Sequence, residues 1–347
     1  MAQNVGTPRF YVDTISWLQA IGVMSATNSG LNPTDGQERT WEAGTDGINF
    51  YPMNWQGTKI PKWAKLNYWA TLGHNFKNVN HIPHFHKDDD DDFMCRPYHR
   101  EIINAGGATG SSDWIKPDND GFTITEMVEG NEFSPLGNDK DIKNQFLWSN
   151  DTTGLSNSDI ALPFTGRIGA VSIGEFYDMP HSPDLNLKLT YEYDGVKTIQ
   201  TKGGATLSNA TYTKPADWGD GGAWQLGSDE SGNPISNLRS GRRVWDLSFS
   251  YLSDTDLMPV VAATTNLGAG YTEGTPTSDD TLLEGTDFFS RVINRTMGGH
   301  LPFIFQADNS NNSPDQFAIA RFDMNSFSYD QVANNVYNVK LKIREVW

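Results

Sequence analysis

The stretch from Gly299 to Trp347, GHLPFIFQADNSNNSPDQFAIARFDMNSFSYDQVANNVYNVKLKIREVW, decides the fold. It reads as four consecutive strands. Leu301 to Phe305 is a short apolar run, and Gln316 to Phe322 follows a polar loop of Asn, Asp and Ser. Phe327 to Tyr329 comes next. Then Tyr337, Val339, Leu341 and Ile343 alternate with Asn338, Lys340, Lys342 and Arg344. That period of two gives one apolar and one basic face, the pattern of a half-buried strand. Asn334 and Asn335 supply residues that tolerate the positive φ of a tight hairpin. A terminus written into a strand is expected to be tied into a sheet.

Working outward, the same alternation recurs. Leu66, Tyr68, Ala70 and Leu72 share one face of a strand whose other face carries Asn67, Trp69 and Thr71. Both faces are fairly apolar, as in a central strand. Phe10 to Trp17 reads as a strand running into a polar turn, with Phe10, Val12 and Ile15 inward. Ile160 to Phe164 and Ile168 to Phe176 read as strands, as does Val244 to Leu252. Leu185 to Tyr193 alternates as well, and Asp194-Gly195 predicts a hairpin with Val196 to Thr201 as the return strand. Leu282, Leu283, Phe288, Phe289, Val292 and Ile293 recur at three- and four-residue spacing and predict the one helix, about 281–297. Ser278 to Asp280 could cap its start and Gly298-Gly299 could end it. The expected class is all-β and mainly antiparallel.

Several of these strings carry a resemblance. PFIFQAD, PDQFAIARFD and QVANNVYNVKLKIREVW together resemble the closing sheet of bacteriophage virion proteins, especially tail and tail-tip components of marine phages. Asn67 to Asn75, NYWATLGHN, is similar to a strand of the galactose-binding-like jelly rolls found in such proteins. Arg243 to Leu252 resembles a shared R-x-W-x-L-x-F-x-x-L strand, and Arg167 to Glu175 a late strand of the same jelly rolls. None of these strings is a catalytic signature. The resemblance implies a β-sandwich or jelly roll over 1–180, followed by a β-sheet domain over 184–347 that carries the helix. Met179-Pro180-His181-Ser182-Pro183 marks the boundary, because two prolines interrupt sheet pairing. It also implies a structural role in a tailed-phage virion, in the tail or at its tip (distal tail or baseplate-like). The protein would work by self-association, as a homo-oligomeric ring, and by docking other virion proteins. Its place is the virion, assembled in the host cytoplasm. The alternatives are a carbohydrate-binding adhesin that recognises a host surface glycan, and a capsid decoration protein.

Composition bounds these readings. A chain of 347 residues can bury a sizeable core as one large or two ordinary domains. Eleven tryptophans need at least partly buried settings, so the chain is read as folded. A net charge of −17 argues against a nucleic-acid groove and favours self-repulsion and solubility. Cys95 is the only cysteine, which rules out an intrachain disulfide and fits a reducing compartment. The first residues lack a basic segment followed by an apolar one, so no secretory signal is expected. No apolar run approaches the ~20 residues of a membrane span, and no membrane insertion is expected.

Residues 76–157 break the strand pattern. They hold His81, His84, His86, five aspartates from Asp88 to Asp92, Cys95, His99 and Gly/Ser/Asn clusters. Long segments without period are usually functional excursions. This one is read as an insertion between two sandwich strands, dispensable for the core. His84 and His86 would share a strand face and, with His81, are the candidate metal ligands, but their spacing matches no standard zinc pattern. The favoured reading is a solvated loop that holds no metal. Asp118 to Gly121 resembles the opening of a calcium loop, but Phe122 and Thr123 stand where that loop needs other residues. An Asx turn fits better. The chain contains no G-x-S-x-G, H-E-x-x-H or G-x-x-x-x-G-K, so no enzyme and no cofactor are expected. Trp114, Trp218 and Trp224 lie in polar loops and are the candidate glycan contacts. Trp17, Trp69 and Trp245 are read as core or subunit contacts. Lys340, Lys342 and Arg344 form a basic stripe on an acidic protein and are the candidate subunit interface.

Overall fold

The structure, a computed structural model, describes residues 5–22, 39–41, 48–50, 66–87, 94–95, 97–128, 142–148, 166–193, 196–210, 242–259, 282 and 285–346. For 39–41, 48–50, 84–87, 94–95, 142–148 and 210 it describes the backbone alone.

Twelve strands form one antiparallel sheet among the described residues. In chain order they are β1 (Arg9–Asp13), β2 (Tyr68–His74), β3 (Tyr98–Ile103), β4 (Thr109–Ser112), β5 (Gly121–Val128) and β6 (Ala170–Asp178). There follow β7 (Lys188–Glu192), β8 (Arg242–Ser253), β9 (Phe303–Gln306), β10 (Phe317–Phe322), β11 (Tyr329–Ala333) and β12 (Val336–Glu345). Across the sheet the order is β7-β8-β12-β10-β9-β1-β6-β2-β5-β3-β4, and β11 pairs with the first residues of β12. A four-stranded sheet runs Ile48–Phe50, Ile142–Trp148, His81–Lys87, Met94–Cys95. Arg39–Trp41 pairs with Gly166–Ile168, and Val196–Gln200 with Thr206–Ala210.

The class is all-β and antiparallel, as the alternating strands predict. The closing hairpin forms where Asn334-Asn335 places it, with Asn335 at φ 57° between paired Ala333 and Val336. Phe10 to Trp17 is only half strand. Asp13 ends β1 and caps a helix, α1 (Thr14–Ala20), by accepting hydrogen bonds from the Ile15 and Ser16 amides. An aspartate that satisfies the first free N–H groups of a helix favours that turn over further extension.

Period-two alternation along the central strands builds two cores, one on each face. On one face Phe10, Val12, Phe303, Phe305, Ala318, Ala320 and Phe322 join Trp245, Leu247, Phe249, Val339, Leu341 and Ile343. On the other, Tyr11, Ile304, Phe317 and Ile319 join Tyr68, Ala70, Leu72, Phe122, Ile124 and Ala170. The Phe10 ring lies 5.3 to 6.1 Å from those of Phe288, Phe303, Phe305 and Phe322. Such pairs each add about 0.5–1.5 kcal/mol beyond area burial.

The expected division into 1–180 and 184–347 is not a division of this sheet. β1, from the first half, lies between β6 and β9, with Phe10 opposite Tyr177 on one side and Phe305 on the other. Each apolar cluster takes residues from both halves. The prolines at 180 and 183 end β6 without ending the domain.

Three further expectations are corrected. Residues 76–157 supply β3, β4 and β5, so they are not an excursion from the core. The Asp194-Gly195 hairpin does not pair its flanking strands. β7 pairs with β8 instead, and Val196–Gln200 folds onto Thr206–Ala210 across the Lys202-Gly203-Gly204 turn. The helix is shorter than 281–297. Asp287 caps it through the Ser290 amide and hydroxyl, and Phe289–Asn294 winds with π-helical bonding. The expected stop holds: Gly298 and Gly299 both have positive φ.

Gly174, in the β6 string noted above, is set by close approach. A side chain there would strike the Val12 carbonyl and the Thr14 amide, where β1 turns into α1.

Candidate functional site

The histidines that stood out in the sequence divide into two groups. His74, His81 and His99 are buried. The side chains of His84 and His86 lie outside the described residues. His74 ends β2, and its Nδ1 accepts from the Phe76 amide at 3.2 Å. A neutral ring then carries its hydrogen on Nε2, which donates to Thr123 Oγ1 at 2.8 Å. Thr123 passes its own hydrogen to the Asn104 carbonyl at 3.0 Å. On β3 the same tautomer recurs, with the hydrogen again on Nε2. His99 Nε2 donates to the Pro83 carbonyl at 3.1 Å, which leaves Nδ1 to accept from Thr125 at 2.8 Å. His81 Nδ1 donates to the Val79 carbonyl at 3.2 Å.

Burial pulls all three imidazoles towards the neutral form: His74 to about 3, with the nearby His81 adding to the effect, and His81 and His99 to about 4. The bonds from Phe76 and to Nδ1 of His99 exist only in the neutral rings. These histidines are hydrogen-bonding members of a β core. Both ring nitrogens of His74 and His99 are committed to protein partners, which leaves neither a lone pair for a metal. Among the described residues no group of three or more His, Cys, Asp or Glu is arranged to hold a metal.

A pH effect follows. The unfolded chain protonates its histidines near 6.5, the folded chain only near 3 to 4. Between those limits the unfolded state binds more protons, so stability is intact above pH 6.5 and falls as the pH falls through the window. At pH 5 each buried histidine is expected to remove roughly 2 kcal/mol. Denaturant titrations at pH 7.5 and 5 should show the loss, and His99→Gln should make the slope shallower. Parallel slopes would count against it.

Of the candidate glycan contacts, Trp218 and Trp224 lie outside the described residues. Trp114 is half-buried, and its ring lies over Gly107, which sits at φ 87°. One face of the indole is used in that packing. Trp17, Trp69 and Trp245 are core residues, each exposed by 2% or less. The turn at Asp118 to Gly121 is held by side chain and backbone: Asn104 bonds the Asn119 amide and carbonyl, and Asp120 accepts from the Lys77 amide.

The basic stripe lies on the outer face of β12. Lys342 meets Asp323 at 2.7 Å, and that bond raises its pKa. Arg344 meets Glu192 of β7 at 2.6 Å. Lys340 is exposed and has no ion pair among the described residues. The sheet's own acids therefore occupy two of the three cations.

Two buried ionic clusters escaped the sequence reading. On β8 and β12 the inward alternation ends in charge. Arg243, two before Trp245, forks onto Glu345, two after Ile343, with Nε to Oε2 and Nη2 to Oε1 both at 3.0 Å. Arg243 also caps the Asp315 and Phe317 carbonyls. A charge at an inward period-two position was the available signal. The second cluster joins helix to sheet. Glu175 of β6 sits opposite Val12 and meets both Arg291 and Arg295, the latter at 2.9 Å. Burial brings both guanidinium pKa values down to about 10, still far above neutral, so both remain cations. Arg295 also lies 5.5 Å from the Trp17 ring centroid. The i, i+4 spacing of two arginines beside Phe288, Val292 and Ile293 carried that signal.

No family model matches the chain, and no curated protein or solved structure is detectably similar to it. Among the described residues no helix is long and apolar enough to cross a membrane. What the fold defines, among the described residues, is an all-β protein whose largest sheet is a twelve-stranded antiparallel one, with buried ion pairs at Arg243–Glu345 and at Glu175 with Arg291 and Arg295.

Proposed function

We propose that the protein is a structural component of a tailed-bacteriophage virion, in the tail or at its tip, and that it acts by self-assembly and by docking other virion proteins. The observation that carries this reading is where apolar surface is left outside. Ten large apolar side chains are exposed among the described residues, and six of them, Leu185, Tyr191, Tyr193, Val196, Ile199 and Leu207, fall within one short stretch. Leu185 is fully exposed. Scattered exposed apolar residues need no explanation, but six of ten in one segment of chain support a contact role for that segment. The body behind it is suited to bear load, since its central strands are buried on both faces and its ionic groups are locked across strands.

The jelly-roll part of the reading draws support from the way the chain alternates between sheets. β2 is in the large sheet, His81–Lys87 in the small one, β3 and β5 in the large one, Ile142–Trp148 in the small one, and β6 in the large one. Such crossing connections are how two-sheet antiparallel folds are wound.

The test is mass and shape together. Sedimentation of the purified protein across a hundredfold concentration range, with negative-stain images of the heaviest species, is expected to show a closed ring of defined size. A lone monomer throughout would overturn the assembly reading.

A further inference from the structure

We propose that His74, His81 and His99 form an acid-released joint. When they take up protons, the turn 75–80 and the strand His81–Lys87 come away from β3 and from the loop 113–120, while the side of the large sheet built from β1, β8, β9, β10 and β12 stays folded. The joint lies within one chain, so it stands apart from the assembly reading above.

The three rings belong to one piece of packing. The Phe76 ring lies within 15° of parallel to His74, with centroids 5.3 Å apart, and meets His81 edge-on at 5.3 Å. His81 is bridged to Ile115 by two backbone bonds, at 3.0 and 2.9 Å, and the Asn78 amide bonds the Pro117 carbonyl at 2.8 Å. Two residues beyond His81, the Pro83 carbonyl accepts from His99 of β3. A proton acts differently at each end of this chain of contacts. On His74 it would occupy Nδ1 and face the Phe76 N–H. A backbone amide only donates, so the two N–H groups oppose each other and Phe76 must move. His99 is more tolerant. Thr125 can turn its hydrogen to the Trp69 carbonyl, 3.4 Å away, and accept from a protonated Nδ1. There the penalty is the burial of the charge. Release therefore begins at Phe76, which separates His74 from His81, and the Pro83 contact with His99 follows.

The charged groups on the packed elements do not hold protons on these rings. Arg100 of β3 and Glu126 of β5 pair with each other at 3.0 Å. Glu101 accepts from the Ala105 amide, and Asp120 from the Lys77 amide. Asp113, Lys116 and Asp118 lie in or beside the loop, and Arg167 follows its backbone bond to Asn75. Among the described residues the charges that His74 and His81 meet are other histidines: His81 opposes a proton on His74, and His99 opposes one on His81. Opening separates and hydrates all three, so protons enter with the opening rather than before it. At pH 5 an opened imidazole is charged and a closed one is neutral. The other side of the sheet lacks this device. The cluster around Phe10 and Trp245 contains no histidine, and His181 and His300 are not buried. Opening confined to one cooperative segment is the expected result of such an uneven distribution.

The experiment is hydrogen exchange of the full chain at pH 7 and pH 5, corrected for intrinsic rates and read segment by segment. Each histidine released is expected to lower protection about tenfold or more. Peptides carrying the amides of Asn78, His81 and Ile115 should therefore lose protection by roughly a hundredfold or more, and those from β9, β10 and β12 by less than about tenfold. In His74→Gln the glutamine can accept from Phe76 and donate to Thr123 but takes up no proton, so the loss at pH 5 should shrink by about tenfold. His99→Gln reads the same share from β3 if the first variant does not fold. Loss spread evenly over both sides of the sheet, no loss at pH 5, or a glutamine variant that folds and loses as much as wild type would overturn the joint.

Discussion

Excising residues 76–157 and joining the ends with a short Gly/Ser linker is expected to give an insoluble or non-cooperatively melting product. Composition alone argues the opposite, because the segment is polar, acidic and without an obvious period. Its described residues nonetheless form β3, β4 and β5, and β5 is hydrogen-bonded along most of β2. Removing them would leave β2 as a bare edge, with Tyr68, Ala70 and Leu72 uncovered on the face now packed with Ile102, Ile103, Phe122 and Ile124. Four large buried apolar side chains would be lost. At roughly 1.5–3 kcal/mol each, their burial alone rivals the 5–15 kcal/mol net stability of an ordinary domain. His74 would also lose Thr123, leaving a buried ring with one unmet hydrogen bond. Solubility screening and a melting curve of the excised protein decide the matter. A soluble product with a sharp transition would show that the remaining sheet closes without these strands.

That misreading shows what was legible and what was not. The last strands were legible because one face is core and the other is water, so the sequence alternates cleanly along Tyr337 to Arg344. β5 is different. Phe122 and Ile124 point into a core, but Thr123 and Thr125 are buried too, where they hold His74 and His99. A strand with polar residues on its second buried face loses the contrast on which periodicity depends. The histidines read as members of a solvated loop for the same reason. Imidazoles satisfied by threonines on a neighbouring strand are polar in sequence and core in space. The Asp194-Gly195 signal failed differently. Turn residues fix a local reversal, but β7 finds a better partner in β8, which already carries the core residues Trp245 and Leu247. The candidate interface was read from charge alone. Only the folded sheet shows Asp323 and Glu192 beside Lys342 and Arg344, since strand pairing is what brings both acids alongside β12.

Glu175→Gln is expected to cost roughly 3–5 kcal/mol, the range for removing one partner of a buried ionic group. Among the described residues Glu175 is the one carboxylate that meets Arg291 and Arg295, whose side chains are 12% and 2% exposed. A glutamine keeps the shape and some hydrogen bonding but removes the charge. Two guanidiniums then face each other at the junction of helix and sheet, and each is already strained towards deprotonation by burial. Because the helix packs Phe288, Val292 and Ile293 onto β1 and β6, its displacement would open the core around Phe10. The mechanism can be separated from simple loss of packing. Replacing Glu175, Arg291 and Arg295 together with methionine removes the charges along with the cost of burying them, and apolar replacements of buried ionic clusters are often neutral or stabilising. The triple variant should therefore melt above Glu175→Gln, although it changes three residues rather than one. If the triple variant were instead the less stable of the two, the cluster would be holding the helix by net attraction, and uncompensated charge would not be the source of the single variant's loss.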